Sequence, residues 1–442
     1  MKSEVNFKYL MLLTIVAALG GVLFGFDIAI ITGANPFLEI HFDLDEHGLG
    51  LGTSALLFGC IPGAIIAGRI TDIYGRRKIL MVVAILFAVT TLLTGLSPTF
   101  EFYVIIRFLG GLAVGAASLL SPMYISEVAI SSVRGRLVSV YQLSIVIGIL
   151  ISYLINFLMR NLDNNWRLMF ISGVVPSTLF FILLFFVPET PRFLFKKGLK
   201  DKAYEILKKI GGQHNADREF KEIENSFSAS KVNWKELFGP KMQRLMFVGF
   251  GLAVFVQMSG VNAVIDYAPK ILQGAGWDID AQLFGTFGLG IVNVTFTFIS
   301  IWAIDKFGRK PLYLIGSAGM TIALLILSYL SIVDKFEGAL VFWTCMLYLA
   351  FFASCIGPVF WTLISEIFPN KVRGTAMSIP VFTQWFFNAL MVLVFPIYFV
   401  NFRSATFIAI AIMAFLQFLF TYKFVPETKG KSLEEIEKFW GV

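Results

Sequence analysis

Three ionised side chains stand inside apolar stretches of the chain: Asp27, Arg107 and Asp266. A charge at membrane depth costs about 2.5–3.5 kcal/mol on insertion scales, so each is a functional candidate by default. Asp27 and Arg107 lie at similar depth from the same end of their stretches, so the two can meet. An Asp beside an Arg stays ionised, whereas an Asp parted from it in an apolar cleft holds a proton more readily. A pair that separates and rejoins therefore handles protons; the plainer alternative is a fixed structural ion pair. Asp266 has three readings: a hydrogen-bonding partner for solute hydroxyls, a second protonation site, or a carboxylate wetted by an outer vestibule. Among the polar amides, Gln142, Asn156, Gln257, Asn262, Asn293, Gln384 and Asn388 also sit in apolar stretches, the last five in the same half as Trp361 and Trp385. Amides that donate and accept, beside an aromatic face, suit a polyhydroxylated ring. Each amide has a blander reading as interhelical glue, worth about 0.6 kcal/mol.

These residues need elements to position them, and composition says which. The chain has 442 residues, 57% hydrophobic and only 15% charged, with 47 Phe and 38 Gly. A soluble domain carries about a quarter charged residues, so this one is built for lipid. Its net charge of +7 sits in short loops between apolar spans, a pattern that fixes membrane orientation and argues against nucleic acid. Cys60, Cys345 and Cys355 lie within apolar segments, so no disulfide framework is expected. No metal-ligand cluster, phosphate-binding glycine loop or nucleophile–base arrangement is evident; neither an enzyme nor a cofactor is expected. His41, His47 and His214 fall outside the spans, which leaves no histidine relay.

With about 20 apolar residues per crossing, twelve spans are predicted, roughly 9–34, 50–71, 79–97, 101–124, 137–158, 167–187, 244–272, 281–304, 311–331, 338–364, 375–397 and 401–424. The first reads as a retained span rather than a cleaved signal, being too long and lacking a small-residue cleavage site. Four segments follow: an N-terminal six-helix half at 1–187, a polar linker at 188–243 with short amphipathic helices, a C-terminal six-helix half at 244–424, and a tail at 425–442. Basic residues gather in the even-to-odd loops, which places those loops and both termini in the cytoplasm of a multi-pass cell-membrane protein.

The halves repeat each other. Asp72-x-x-Gly75-Arg76-Arg77 matches Asp305-x-x-Gly308-Arg309-Lys310, the stretch Ser126–Gly135 matches Ser365–Gly374, and Val-Pro-Glu-Thr recurs at 187–190 and 425–428. Two six-helix pseudo-repeats in parallel, with a solute site between them, are the architecture of the major facilitator transporters. Asp72, Arg76, Arg77, Glu127, Arg134, Glu189, Asp305, Arg309, Glu366, Arg373 and Glu427 recur at membrane edges. They are read as gating residues whose charge pairs across the halves hold an inner gate shut; the blander reading is topogenic charge and helix caps.

GGVLFGFD at 20–27, GRITDIYGRRK at 68–78, SPMYISE at 121–127, VPETPR at 187–192, QMSGVNAV at 257–264, DKFGRKPL at 305–312 and VPETKGKSLEE at 425–435 resemble the sugar porter family over the whole chain. Bacterial proton-coupled xylose, arabinose and galactose symporters are the members it most resembles. The resemblance implies that Asp27 carries the proton, since facilitators have Asn there, with Arg107 its partner. It places Gln142, Gln257, Asn262, Asn293, Trp361, Gln384 and Asn388 at sugar contacts, with Phe24 and Gly357 lining the cavity. Asp266 departs from the family's aromatic residue, and Val256 and Ile149 stand where relatives have Gln, so hydrogen-bonding capacity is lost and xylose or glucose does not simply follow. The expectation is proton-coupled symport of a monosaccharide or polyol by alternating access, by a monomer in the bilayer. A facilitator without proton coupling, or a sensor that does not transport, are the alternatives.

Overall fold

The structure, a computed structural model, describes residues 5–130, 133–228, 239–368 and 373–429, without the side chains of 226–228, 240–241, 305 and 373–375. The N-terminal repeat holds α1 (Phe7–Phe42), α2 (Glu46–Tyr74), α3 (Arg76–Gly95), α4 (Phe100–Val128), α5 (Arg134–Met159), α6 (Asn165–Ile171) and α7 (Val174–Leu183), the last two forming one span. The linker supplies α8 (Pro191–Lys196) and α9 (Lys200–Ser228). Then come α10 (Pro240–Met258), α11 (Val261–Asp266), α12 (Ala268–Gly274), α13 (Ile279–Phe307), α14 (Arg309–Ile332), α15 (Gly338–Cys355), α16 (Gly357–Glu366), α17 (Arg373–Asn401) and α18 (Arg403–Phe424). Among the described residues twelve spans are long and apolar enough to cross a membrane, as predicted. Many large apolar side chains on these helices point outward, as Val175, Phe186, Phe298 and Trp343 do, which suits lipid as solvent.

Two departures from the sequence reading matter for the site. The first span does not stop near residue 34 but continues through Pro36 to Phe42. Proline inside a helix removes one backbone bond and crowds one carbonyl, which a long packed helix tolerates. Glu39 and His41 are therefore helical, not loop residues. The seventh span is broken twice: at Ser259–Gly260, where Gly260 takes φ 84, and at Tyr267, ahead of Pro269. The tenth breaks at Ile356 before Gly357 and Pro358. Broken spans expose backbone groups at membrane depth, where transporters place solute sites. In the linker, Gly212 at φ 73 divides α9 into two helical stretches.

By their contacts the residues form two units. One comprises Met1–Ile30, Phe58–Ser152 and Arg167–Lys231; within it α3 packs against α4 and α7. The other comprises Ile31–Leu57, Tyr153–Trp166 and Val232–Val442; within it α14 packs against α15 and α18, and α17 against α10 and α11. The second unit thus takes in the ends of α1, α2 and α5 that lie away from residue 7.

Candidate functional site

In the first unit, α1 and α4 bring Asp27 and Arg107 together. Arg107 Nη1 donates to Asp27 Oδ1 at 2.6 Å and Nη2 to the Asp27 carbonyl at 3.2 Å. The side chains are 2% and 3% exposed, and the guanidinium stacks over the Phe170 ring at 5.2 Å. Burial makes the pair interdependent, because removing one member leaves an uncompensated charge in a dry site. Phe24 lies one turn before Asp27 on α1, and Gln142 sits on α5; both are half-buried. The two helices touch backbone to backbone here: a Cβ on Gly25 would lie 2.0 Å from the Ile145 carbonyl oxygen.

In the second unit, two of the amides flank a break. Gln257 ends α10 and Asn262 opens α11, and Asn262 Nδ2 donates to Gln257 Oε1 at 2.8 Å across Gly260. Tyr348 Oη donates to the Ser259 carbonyl at 2.7 Å, satisfying a group the break releases. On the adjacent α17, Gln384 and Asn388 are 9% and 4% exposed, one turn apart. Their side-chain oxygens Oε1 and Oδ1 have no hydrogen-bond partner among the described residues. Such acceptors are rare, since leaving one unmet costs about 1–3 kcal/mol. Asn293 is buried on α13, while Trp361 on α16 is 37% exposed with its ring against Phe360 at 5.3 Å. Gly357 begins α16 below the Phe352 ring. Val256 is buried in α10, so its apolar side chain fills packing space.

Asp266 closes α11 and is 2% exposed. Its main-chain oxygen accepts from Asn35 Nδ2 at 3.4 Å, and Thr53 Oγ1 donates to Asn35 Oδ1 at 3.3 Å. A cleft of about 10 Å³, room for roughly one water, is lined by Thr32, Asn35, Glu39, Asp266 and Lys270 among others. An ion pair between Lys270 and Glu39 lies at that cleft, and Arg160 Nε meets Asp280 at 2.6 Å in the same unit. Sequence reasoning missed these contacts. Ending the first span near residue 34 left Glu39 in a loop, and Lys270 and Arg160 were then counted only among the loop charges that set orientation.

The membrane-edge motifs build one device twice. Arg76 Nη2 donates to Glu127 at 2.9 Å and Nη1 lies 3.4 Å from Asp72. Glu189 accepts from the main-chain N–H groups of Arg76 and Arg77 at 2.9 and 3.2 Å, capping α3. In the second repeat Arg309 donates to Glu366 at 2.8 Å, and Glu427 accepts from the N–H groups of Arg309 and Lys310 at 3.1 and 3.0 Å, capping α14. Arg134 reaches Glu219 of α9 at 3.3 Å. The expected charge pairs across the halves are not these: each described pair of this set lies within one repeat or between a repeat and the segment that follows it. For the caps the reason is geometric, since Gly75 and Gly308, at φ 99 and 92, turn the chain so that each helix N-terminus faces the glutamate just past the end of its own repeat. Burial pushes the Glu189 carboxyl above its ordinary range, with the N–H groups of Thr190, Arg77 and Arg76 pulling the other way. The side chains of Asp305 and Arg373 lie outside the described residues.

The paired charges in one unit, and the broken spans and orphan amides in the other, are each candidate functional features, and comparison with known proteins gives the chain a family. The sequence profile described as "Sugar (and other) transporter" matches residues 13–440. The chain belongs to that family. The arabinose-proton symporter of Bacillus subtilis (strain 168) is 38% identical, covering 98% of this chain and 95% of its own length. The D-xylose-proton symporter of Escherichia coli (strain K12) is 37% identical, covering 100% and 97%. The inward open structure of the xylose transporter XylE from E. coli aligns with a TM-score of 0.86 at 36% identity, covering 98% of this chain and 100% of that one. Membership makes the chain a multi-pass membrane transporter of the major facilitator fold and not an enzyme.

Proposed function

We propose that the protein is a proton-coupled symporter of a monosaccharide or related polyol. The observation that carries this reading is the pair of buried acceptors Gln384 Oε1 and Asn388 Oδ1, without a partner among the described residues, on the helix that packs against the broken seventh span. A solute rich in hydroxyl donors satisfies them, whereas an apolar solute leaves them unmet. Gln257, Asn262, Asn293 and the half-exposed Trp361 complete the polar and aromatic set in that unit, and Phe24 and Gln142 are proposed as contacts from the other repeat. Asp27 is the proposed proton carrier, held ionised by Arg107 and protonated when the pair parts. The relatives' printed names, arabinose-proton and D-xylose-proton symporter, support the solute class and the coupling ion.

The glutamate caps and arginine pairs at the membrane edge are proposed as gating elements that brace helix ends during rocking. Both termini are proposed to lie in the cytoplasm, a reading the basic loops support, and the proposed working unit is a monomer. The test is uptake by proteoliposomes of labelled pentoses, hexoses and polyols, with and without an imposed pH gradient. Saturable uptake of at least one, accumulated only with the gradient, is expected. Gradient-independent equilibration favours the facilitator reading; transport of organic cations or peptides with no sugar uptake overturns the proposal.

A further inference from the structure

Alternating access needs a gate at each end, and the end away from residue 7 carries charge pairs that the membrane-edge motifs do not include. Within the second unit, Glu39 on the extended last turns of α1 pairs with Lys270 on α12, and Arg160, just past α5, pairs with Asp280 on α13. Each pair joins a residue of the N-terminal repeat to one of the C-terminal repeat. Between them Asn35 bridges Thr53 of α2 and the main-chain oxygen of Asp266. Glu39 and Lys270 are 31% and 16% exposed, so their attraction is less screened than that of a surface pair. Arg160 also stacks over Phe157 at 4.0 Å, which holds its head toward Asp280.

We infer that Glu39–Lys270 and Arg160–Asp280 are positioning pairs that latch the outer gate, with the Asn35 amide as an uncharged third fastening at the base of α11. The inference rests on the transport reading only for its purpose; the latch itself is a matter of access. Opening toward that side must part residues 31–57 and 153–166 from α11 to α13, and so must break both pairs and the Asn35 bond. The break at Tyr267 supplies a hinge next to Lys270: α12 restarts there with Pro269, which offers no N–H to the carbonyl of Ile265. The extension of α1 through Pro36 is what carries Glu39 within reach of Lys270.

The test reads access directly, independently of any solute. Leu49 lines the same cleft, is 2% exposed and has an apolar side chain, so Leu49→Cys, which keeps the main chain, reports opening to a membrane-impermeant maleimide applied to each face of oriented vesicles. The chain without that cysteine gives the background, its three own cysteines being buried. Slow labelling of L49C is expected, from the face opposite the termini. Glu39→Lys, which sets like charges together, should speed it by roughly fivefold to tenfold, and Arg160→Glu by a smaller factor. Glu39→Lys with Lys270→Glu should return the rate to that of L49C alone. Unchanged labelling in Glu39→Lys, failure of the double exchange to restore slow labelling, or labelling from the face that carries the termini would each overturn the latch. No solute uptake by the parent protein, with this labelling order intact, would leave the latch standing and count against the transport reading instead.

Discussion

Arg107 holds Asp27 by both its side-chain carboxylate, at 2.6 Å, and its main-chain carbonyl, at 3.2 Å. The second bond fixes the guanidinium to the α1 backbone, so the carboxylate can let go without the arginine losing every partner. A proton carrier needs that asymmetry. Asp27→Asn imitates the protonated form permanently. Each proton moving down 100 mV supplies about 2.3 kcal/mol, enough for roughly a fiftyfold solute gradient at one-to-one stoichiometry. The variant should lose this accumulation yet keep counterflow exchange, both measured on the same liposomes. Driven accumulation surviving in Asp27→Asn would move the proton elsewhere, with Asp266 the first place to look.

Arg107→Ala tests the other side of the pair. It leaves a carboxylate buried without its counter-ion, which should destabilise the protein by about 3–5 kcal/mol. Asp27→Asn/Arg107→Ala removes both charges and should recover much of that loss. Thermal unfolding in detergent of the two single variants and the double one decides it. Additive losses would mean that the two side chains do not interact energetically, whatever their distance.

The amide site makes a prediction about binding alone. Gln384→Ala and Asn388→Ala should each weaken solute affinity by about 1–3 kcal/mol, the value of a buried hydrogen bond to an otherwise unmet acceptor. Each should lower thermal stability only through the packing its buried side chain loses, since neither oxygen has a hydrogen-bond partner among the described residues. Gln257→Ala differs: it also breaks the bond from Asn262, so it should weaken binding and lower stability together. Equilibrium binding by calorimetry, set beside melting curves, separates the two patterns.

Most of the architecture was legible in the sequence because lipid imposes a simple rule: twelve apolar stretches of crossing length became twelve helical spans. The meeting of Asp27 and Arg107 was legible for a related reason, since depth in a membrane fixes one coordinate of a residue in advance. What depth cannot give is rotation about a helix axis or continuity through a proline. The first span was ended near residue 34, and with that went Glu39, its partner Lys270 and the extension of α1 through Pro36. Gly260 and Pro269 signalled a break in the seventh span only in retrospect, as both residue types are also common in unbroken membrane helices. The glutamates of the repeated Val-Pro-Glu-Thr motif were legible as edge charges, with helix caps as the blander reading, but not that α3 and α14 are the helices they cap. That role depends on a helix start more than a hundred residues earlier in the chain.

Glu189 gives a prediction in pH. Burial holds its carboxyl above the ordinary 4.5. The folded protein therefore keeps that proton more tightly than the unfolded chain. The resulting stability is full below about 4.5 and is lost as pH rises through the raised value. Glu189→Gln cannot titrate. The melting temperature of Glu189→Gln relative to the parent should therefore climb as pH is raised from about 4 to 7. A falling difference would show that the α3 N–H groups outweigh burial and favour the charged form.

The last prediction concerns the two glycines that aim the helix ends at those glutamates. Gly75 and Gly308 have φ of 99 and 92, where a side chain is strained. A Cβ would also lie 2.3 Å from Glu189 Oε2 in the first case and 2.7 Å from Glu427 Oε2 in the second. Gly75→Ala and Gly308→Ala should each cost on the order of 2 kcal/mol, combining backbone strain with displacement of the cap. The two contributions can be parted. Gly75→Ala/Glu189→Ala removes the collision but keeps the strain, so on top of Glu189→Ala the glycine change should cost only about 1 kcal/mol. Melting curves of the four proteins in this cycle measure that difference. If Gly75→Ala costs the same with and without Glu189, the collision is absorbed elsewhere and only the backbone requires glycine. If it costs nothing in either background, the turn before α3 is not held at positive φ, and the description of Glu189 as a fixed cap fails with it.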